Sequence, residues 1–441
     1  MEAIFSKKFT MWQFLKFVSP SIISMVFLSL YTIIDGIFVS NFVGSDALAA
    51  INIVLPTMSV IWGIGIMMST GGSAIIGYKM GENKKQEANE IFSLIVVVSA
   101  AMGIVISIVS LIFIEDIMKF MGADEKLLSY CITYGSIILG ITPIAIVKSL
   151  MEYLIRTDGN AKMSLIISVI GGIWNIVFDY ILIVVLDMGI AGAAIATVTG
   201  ILLSMLLGIA YFIWGKSVLK FTKPKWDLKV IIETMTNGCS ELVTELSTGV
   251  TTFLFNMAVM KFAGADGVAA LTIILYAHFL LISTYLGFIM GLSPMISYNY
   301  GGGNIKKVKE TMRHSIYFLA VSAIVVFLVA LFGGETIVRA FITPGTDVYN
   351  LAVQGMQIFS WGFLVMGVNV FASGLFTAFG NGKISAIISF SRAFLFIIVG
   401  LVVLVPALEL NGIWMTIPFA EFMTVAISIA LMKKYRKQYG Y

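Results

Sequence analysis

The stretch VGSDALAAINIVL, residues 43–55, returns as AGADGVAALTIIL at residues 263–275, an offset of 220 positions. On the same offset Gly71, Ser73, Ile76, Tyr78 and Gly81 meet Gly291, Ser293, Ile296, Tyr298 and Gly301. Further along, GNAKMSLIIS (159–168) is matched by GNGKISAIIS (380–389). The chain is therefore one pattern written twice, each copy filling half the length.

The solvent for that pattern is lipid. Of 441 residues, 59% are hydrophobic and only 12% charged, more apolar surface than a water-soluble chain of this length can hide. Apolar runs recur about every 35 residues. They read as twelve spans, at 12–39, 47–79, 88–113, 127–156, 162–186, 189–214, 229–262, 266–299, 308–332, 347–380, 383–407 and 411–435. The expected fold is all-α and polytopic, with twelve transmembrane helices in two pseudo-symmetric lobes of six. Six is even, so the lobes share one orientation about an axis along the membrane normal. The N-terminal lobe covers 1–214, the basic loop 215–229 links the lobes, and 230–441 forms the second lobe. The opening MEAIFSKKFTMWQFLKF has no small-residue cleavage site and runs into a full span, so it reads as a retained first helix.

Basic residues orient the chain. Segments on one side carry Lys7, Lys8, Lys84, Lys85, Arg156, Lys223, Lys225, Lys306, Lys433 and Arg436 among others, whereas the other side keeps only Lys119, Lys126, Lys261 and Arg339. By the positive-inside rule both termini face the cytoplasm. The net charge of +4 reflects this bias and is no nucleic-acid footprint.

The duplication doubles as a control, because residues that only support the scaffold tend to recur in both copies. Asp35 aligns with Phe255, Asn175 and Asp179 align with Phe396 and Gly400, and Glu245 aligns with Met25. The intramembrane acids thus belong to one half only, and an ionisable group at bilayer depth points to function. Asn175 and Asp179 share a helix face, and Asp179 lies about 25 Å along its span. Asp35 reaches about 30 Å along the first span, which Pro20 is placed to kink. Two carboxylates, an amide oxygen and the hydroxyl of Thr197 would make an oxygen site for Na⁺ or for shared protons. The competing reading is a pair of capping or packing aspartates. Glu241 and Glu245 are also four apart, a negative stripe suited to a cationic ligand, with neutralisation of Glu241 by Arg392 as the alternative. Glu421 shows no obvious partner other than Arg392. Lys148 and Glu152 read as an intrahelical ion pair snorkelling toward the basic surface. His314 reads as solvated.

Cys131 and Cys239 form no ligand spacing, and His278 and His314 are too few and too far apart for a metal site. No G-x-x-x-x-G-K-[ST] is present, so no nucleotide drives this chain, and no cofactor or obligatory protein partner is indicated. No convergent nucleophile set points to an enzyme.

Pro20 with YTIIDGIFVSNFVGSDALAA, WNIVFDYIL, GIAGAAIATV and the two GN-x-K segments resemble the multidrug and toxic compound extrusion (MATE) family over essentially the whole chain. LVTELSTGV and the C-terminal half look most like its bacterial MepA-type branch. The resemblance implies a cleft between two lobes and export of drugs and other organic cations against Na⁺ or H⁺. The setting it implies is a bacterial inner membrane. By the same resemblance Asp35, Asn175, Asp179 and Thr197 match the N-lobe cation site, Pro20 a bending first helix, and Glu245 the acidic residue of span seven. Some members carry an aspartate in span ten, where this chain has Met366 and Asn369. The runner-up functions are a flippase for amphiphiles and, more remotely, a membrane-embedded enzyme.

Overall fold

The computed structural model describes residues 10–441, so Lys7 and Lys8 of the basic start lie outside the described residues. Among the described residues there is no β-strand. The helices are α1 (Met11–Phe38), α2 (Ser45–Gly81), α3 (Lys85–Ile112), the short α4 (Ile114–Phe120), α5 (Glu125–Gly140), α6 (Thr142–Thr157), α7 (Ala161–Asp179) and α8 (Gly189–Trp214). The second half holds α9 (Leu228–Gly301), α10 (Ile305–Arg339), α11 (Asp347–Phe359), α12 (Phe363–Ala378), α13 (Gly382–Phe390) and α14 (Phe396–Tyr439).

These helices make twelve spans. The 74-residue α9 turns a corner at Gly264, where φ is 58°, so it contains spans seven and eight. In α14 the corner is Glu409, with φ 51°, and it separates spans eleven and twelve. Spans five and eleven run on through π-helical turns at Tyr180–Val185 and Ser391–Leu395. Span four is not the single straight helix that 127–156 suggests. It bends by 50° between α5 and α6, because Pro143 in the first turn of α6 cannot continue the α5 hydrogen-bond ladder. In contrast α1 stays helical through Pro20. The carbonyl that Pro20 cannot bond is that of Lys16, which takes the Ser19 hydroxyl at 3.4 Å instead.

The repeated GN pairs have one local job. Gly159 and Gly380 close a helix at φ 87° and 77°. Asn160 and Asn381 then cap the next one, accepting from the Met163 and Ile384 amides at 3.2 and 3.3 Å.

Among the described residues, apolar cores are shared between the lobes only on the basic side. There Phe14 and Val18 of α1 join the C-lobe core of Leu292, Met295 and Phe376, while Val230, Met235 and Leu242 of α9 pack on the N-lobe core around Phe92 and Leu154. Toward the opposite face each lobe has its own core, one around Val54, Met118 and Tyr134, the other around Phe255, Ile274 and Trp414. Segment 215–227, between α8 and α9, is a strap fastened to the N-lobe. Asp158 accepts from the Val218 and Leu219 amides at 2.9 and 2.8 Å and from the Tyr211 hydroxyl at 2.6 Å. Asn89 and Ser93 accept from the Lys220 and Thr222 amides. Leu219 is fully buried, and Phe221 packs against Phe92 at 4.7 Å between ring centroids.

Candidate functional site

Small residues let three helices close around the N-lobe acids. A methyl on Gly172 of α7 would sit 2.5 Å from the Phe27 ring of α1, and one on Gly200 of α8 would sit 2.9 Å from the Gly171 carbonyl. This packing brings Asp35 of α1 within hydrogen-bonding reach of Asp179 of α7. Asn175, one turn before Asp179, donates through Nδ2 to Thr197 Oγ1 of α8 at 3.5 Å. Asp179 is fully buried and Asn175 is 4% exposed. Four buried acceptors face no donor: Asp35 Oδ1, Asn175 Oδ1 and both carboxylate oxygens of Asp179. Unsatisfied buried acceptors are rare, and each calls for a partner such as a water, an ion or a proton.

Three tyrosines lie near this cluster, and residue spacing singles out only Tyr31. Tyr134 lies within the field of both carboxylates. Tyr31 stands one turn before Asp35 on the same face, a signal legible in the i, i+4 spacing. Tyr276 comes from the other lobe, its hydroxyl 3.5 Å from the position a methyl on Gly36 would take, and it senses the charge of Asp35.

Below Tyr31 on the basic side, Lys148 and Glu152 form the expected pair at 3.1 Å. They do not snorkel. The Ser168 hydroxyl donates to Glu152 at 2.9 Å, and the side chains are only 21% and 12% exposed. Arg156, one turn further and in the last turn of α6, is 2% exposed.

The C-lobe arranges its charge differently. Arg392 Nε donates to Glu421 Oε1 at 2.7 Å. Asn369 Nδ2 donates to Glu421 Oε2 at 2.7 Å, and its own Oδ1 accepts from Ser428 at 2.9 Å. Glu421 therefore has a partner, and Asn369 serves that pair. Arg392 reaches Glu241 only through its field. Glu241 and Glu245 are half-buried on α9, within the field of Tyr153 of α6. Gly63 of α2 packs against Glu245, with a methyl placed 3.2 Å from its Cβ. The deep charges are thus of both signs, with the basic ones mostly paired. His314 is 8% exposed, not solvated, because Phe14 of α1 covers it at 5.3 Å. Among the described residues no group of three or more His, Cys, Asp or Glu side chains could hold a metal ion.

Known proteins share this construction. The MatE family profile matches the chain twice, at residues 20–181 and 242–402, once in each half. The multidrug export protein MepA of Staphylococcus haemolyticus is 26% identical over 430 residues, covering 96% of this chain and 93% of that protein. A crystal structure of a MATE protein in complex with MaL6 superposes with a TM-score of 0.92 at 20% identity, over 97% of this chain and 96% of that one. The outward-facing structure of a MATE multidrug-resistance transporter of the MOP superfamily gives 0.91 at 20% identity over the same shares. The doubled profile match, on a chain whose halves are each a six-helix lobe, makes this protein a member of the MatE family of multidrug efflux transporters.

Proposed function

We propose that the protein is a secondary active antiporter that exports lipophilic organic cations and takes its energy from Na⁺ or H⁺ entering at Asp35, Asn175, Asp179 and Thr197. The observation that carries this reading is the set of four buried, unpartnered acceptors in the N-lobe. Two carboxylates at hydrogen-bonding reach repel each other unless a proton or a cation lies between them. Asn175 spends its donor on Thr197 and so leaves its carbonyl oxygen free to join a Na⁺ shell.

Glu241 and Glu245 receive the substrate. Neither forms an ion pair or hydrogen bond among the described residues, and a half-buried carboxylate attracts a desolvated organic cation. The basic side faces the cytoplasm, and lobes joined there but separately cored on the far side describe a state open to the outside. Pro20 is the place where α1 bends as the ion and substrate exchange, with Ser19 standing in for the missing hydrogen bond.

The test is organic-cation export by the purified protein in vesicles, driven separately by a Na⁺ gradient and a pH gradient. Export that follows one of them and is lost in Asp35→Asn supports the reading. Export indifferent to both gradients removes it.

A further inference from the structure

The strap between the lobes descends alongside α3. The Lys220 amide donates to Asn89 at 3.0 Å and the Thr222 amide to Ser93 at 2.9 Å. Four residues later Trp226 joins Val98, Ala101, Met102 and Val105 of the same helix, and Ile231 of α9, in lining an open groove of about 470 Å³. Sites for small molecules span roughly 300–1,000 Å³. The walls of the groove come from both lobes, α3 from one and α9 from the other, with the strap as rim.

The groove opens where lipid begins. From Val97 onward α3 turns apolar side chains outward, among them Ile104, Val105 and Ile108. Trp226 is 69% exposed, and Leu228 beside it is exposed as well. Tryptophan so placed belongs at a membrane interface.

The rim is basic. Segment 215–229 carries five lysines and one acid, Asp227. That acid is spent on the first turn of α9, accepting from the Lys229 and Val230 amides at 2.9 and 3.4 Å. Glu233 stands 3.9 Å from Lys229, and Glu87 at the start of α3 pairs with Lys79 at 3.0 Å. Lys223 and Lys225 are exposed and have no ion pair among the described residues. Lys225 is bonded to Trp226, and Lys223 lies three residues before it, at most about 11 Å of backbone away.

We propose that the groove holds one acyl chain of an anionic phospholipid, whose phosphate rests on Lys223 and Lys225. Apolar volume alone accepts the chain of any lipid, and lysines alone accept any anion. An anionic amphiphile standing in the membrane satisfies both. Two lysines at the headgroup favour it over a zwitterionic lipid with the same chains by a factor of roughly thirty.

The experiment titrates delipidated protein with dioleoyl phosphatidylglycerol or dioleoyl phosphatidylcholine and counts bound lipid by native mass spectrometry. The readout involves neither ion nor drug, so it stands apart from the transport scheme. Wild type retains one phosphatidylglycerol about thirtyfold more tightly than phosphatidylcholine. Lys223→Gln with Lys225→Gln removes that preference and keeps the weaker binding common to both lipids. Ala101→Phe, on an exposed position of α3, fills the groove and loses tight binding with every lysine in place. Lys306→Gln with Lys309→Gln takes the same charge from another exposed stretch of the basic side and changes nothing. Equal wild-type affinity for the two lipids overturns the proposal. So does tight binding that survives Ala101→Phe, which is adsorption to lysines alone. Equal loss in the Lys306 and Lys309 variant also overturns it, by showing an effect of net charge. A wild-type dimer that Ala101→Phe dissociates would give the groove to a second copy of the chain in place of a lipid.

Discussion

Gly81 and Gly301, mates in the internal repeat, meet backbone to backbone at the basic end of the two lobes. A methyl on Gly81 would stand 2.0 Å from the Tyr298 carbonyl oxygen, and one on Gly301 would stand 2.2 Å from that of Tyr78. Each glycine thus packs on the residue three before its mate, so the pseudo-twofold axis passes between them. Any side chain here collides with a backbone that cannot step aside. The contact therefore holds the lobes together on the basic side, and losing it frees them.

Gly81→Ala and Gly301→Ala should each push the lobes apart at this end. The expected outcome is a longer distance between spin labels placed on the basic ends of α2 and α9, with a population shift away from the basic-side-closed state. Unchanged distances in both variants would show that the contact does not set the lobe arrangement.

The strap gives a second test, local to the membrane surface. Asp158→Ala removes the acceptor of the Tyr211 hydroxyl and of the Val218 and Leu219 amides. Each donor left buried without a partner costs about 1–3 kcal/mol, less where water enters. Hydrogen exchange at Val218 and Leu219 should accelerate while exchange in α7 stays slow. Protection equal to wild type would mean that Leu219 and Phe221 hold the strap by packing alone.

In the C-lobe, Arg392→Met leaves Glu421, which is buried on span twelve, with only Asn369 as a partner. Breaking a buried pair by removing one member costs about 3–5 kcal/mol, whereas replacing both members with apolar residues costs far less. Arg392→Met should therefore lower the melting temperature in detergent sharply. The double variant Arg392→Met with Glu421→Leu should recover most of that loss. Additive losses would show that the two side chains act independently.

Glu245→Gln tests the substrate wall. Export of a lipophilic monocation should fall about tenfold, while export of a neutral amphiphile of similar size changes little, because an amide keeps the volume but not the charge. Equal loss for both compounds would assign Glu245 a packing role against Gly63.

Much of the fold was legible because lipid simplifies the code. Twelve apolar runs and the duplication at offset 220 each had a single sensible reading, and the spans built from α1 through α14 follow them. The bend at Pro143 leaves no distinct mark in 127–156, since a proline can also sit inside an unbroken span, as Pro20 does. The acids of the N-lobe stood out by their cost in lipid and by their absence from the second copy. Their tyrosine surround did not, since Tyr134 and Tyr276 arrive from distant spans. Charge pairing was the least legible. Arg392 had several acids within sequence-level reach, and only the packing of span eleven on span twelve selects Glu421. His314 reads as solvated because it falls among charges near a span end, but Phe14 of α1 covers it.

The central claim is that Asp35 and Asp179 hold the driving cation, and ion-induced stabilisation of the purified protein tests it most directly. A cation bound only by the folded protein stabilises it by about 2.7 kcal/mol at one hundred times its dissociation constant. Thermal melting across a Na⁺ titration, and across a pH series at zero Na⁺, should show a cation-dependent rise in wild type. That rise should vanish in Asp179→Asn, whose melting temperature without the ion is unchanged or higher, since a buried unpaired carboxylate has been removed. A cation-dependent rise in Asp179→Asn equal to that of wild type would contradict the account.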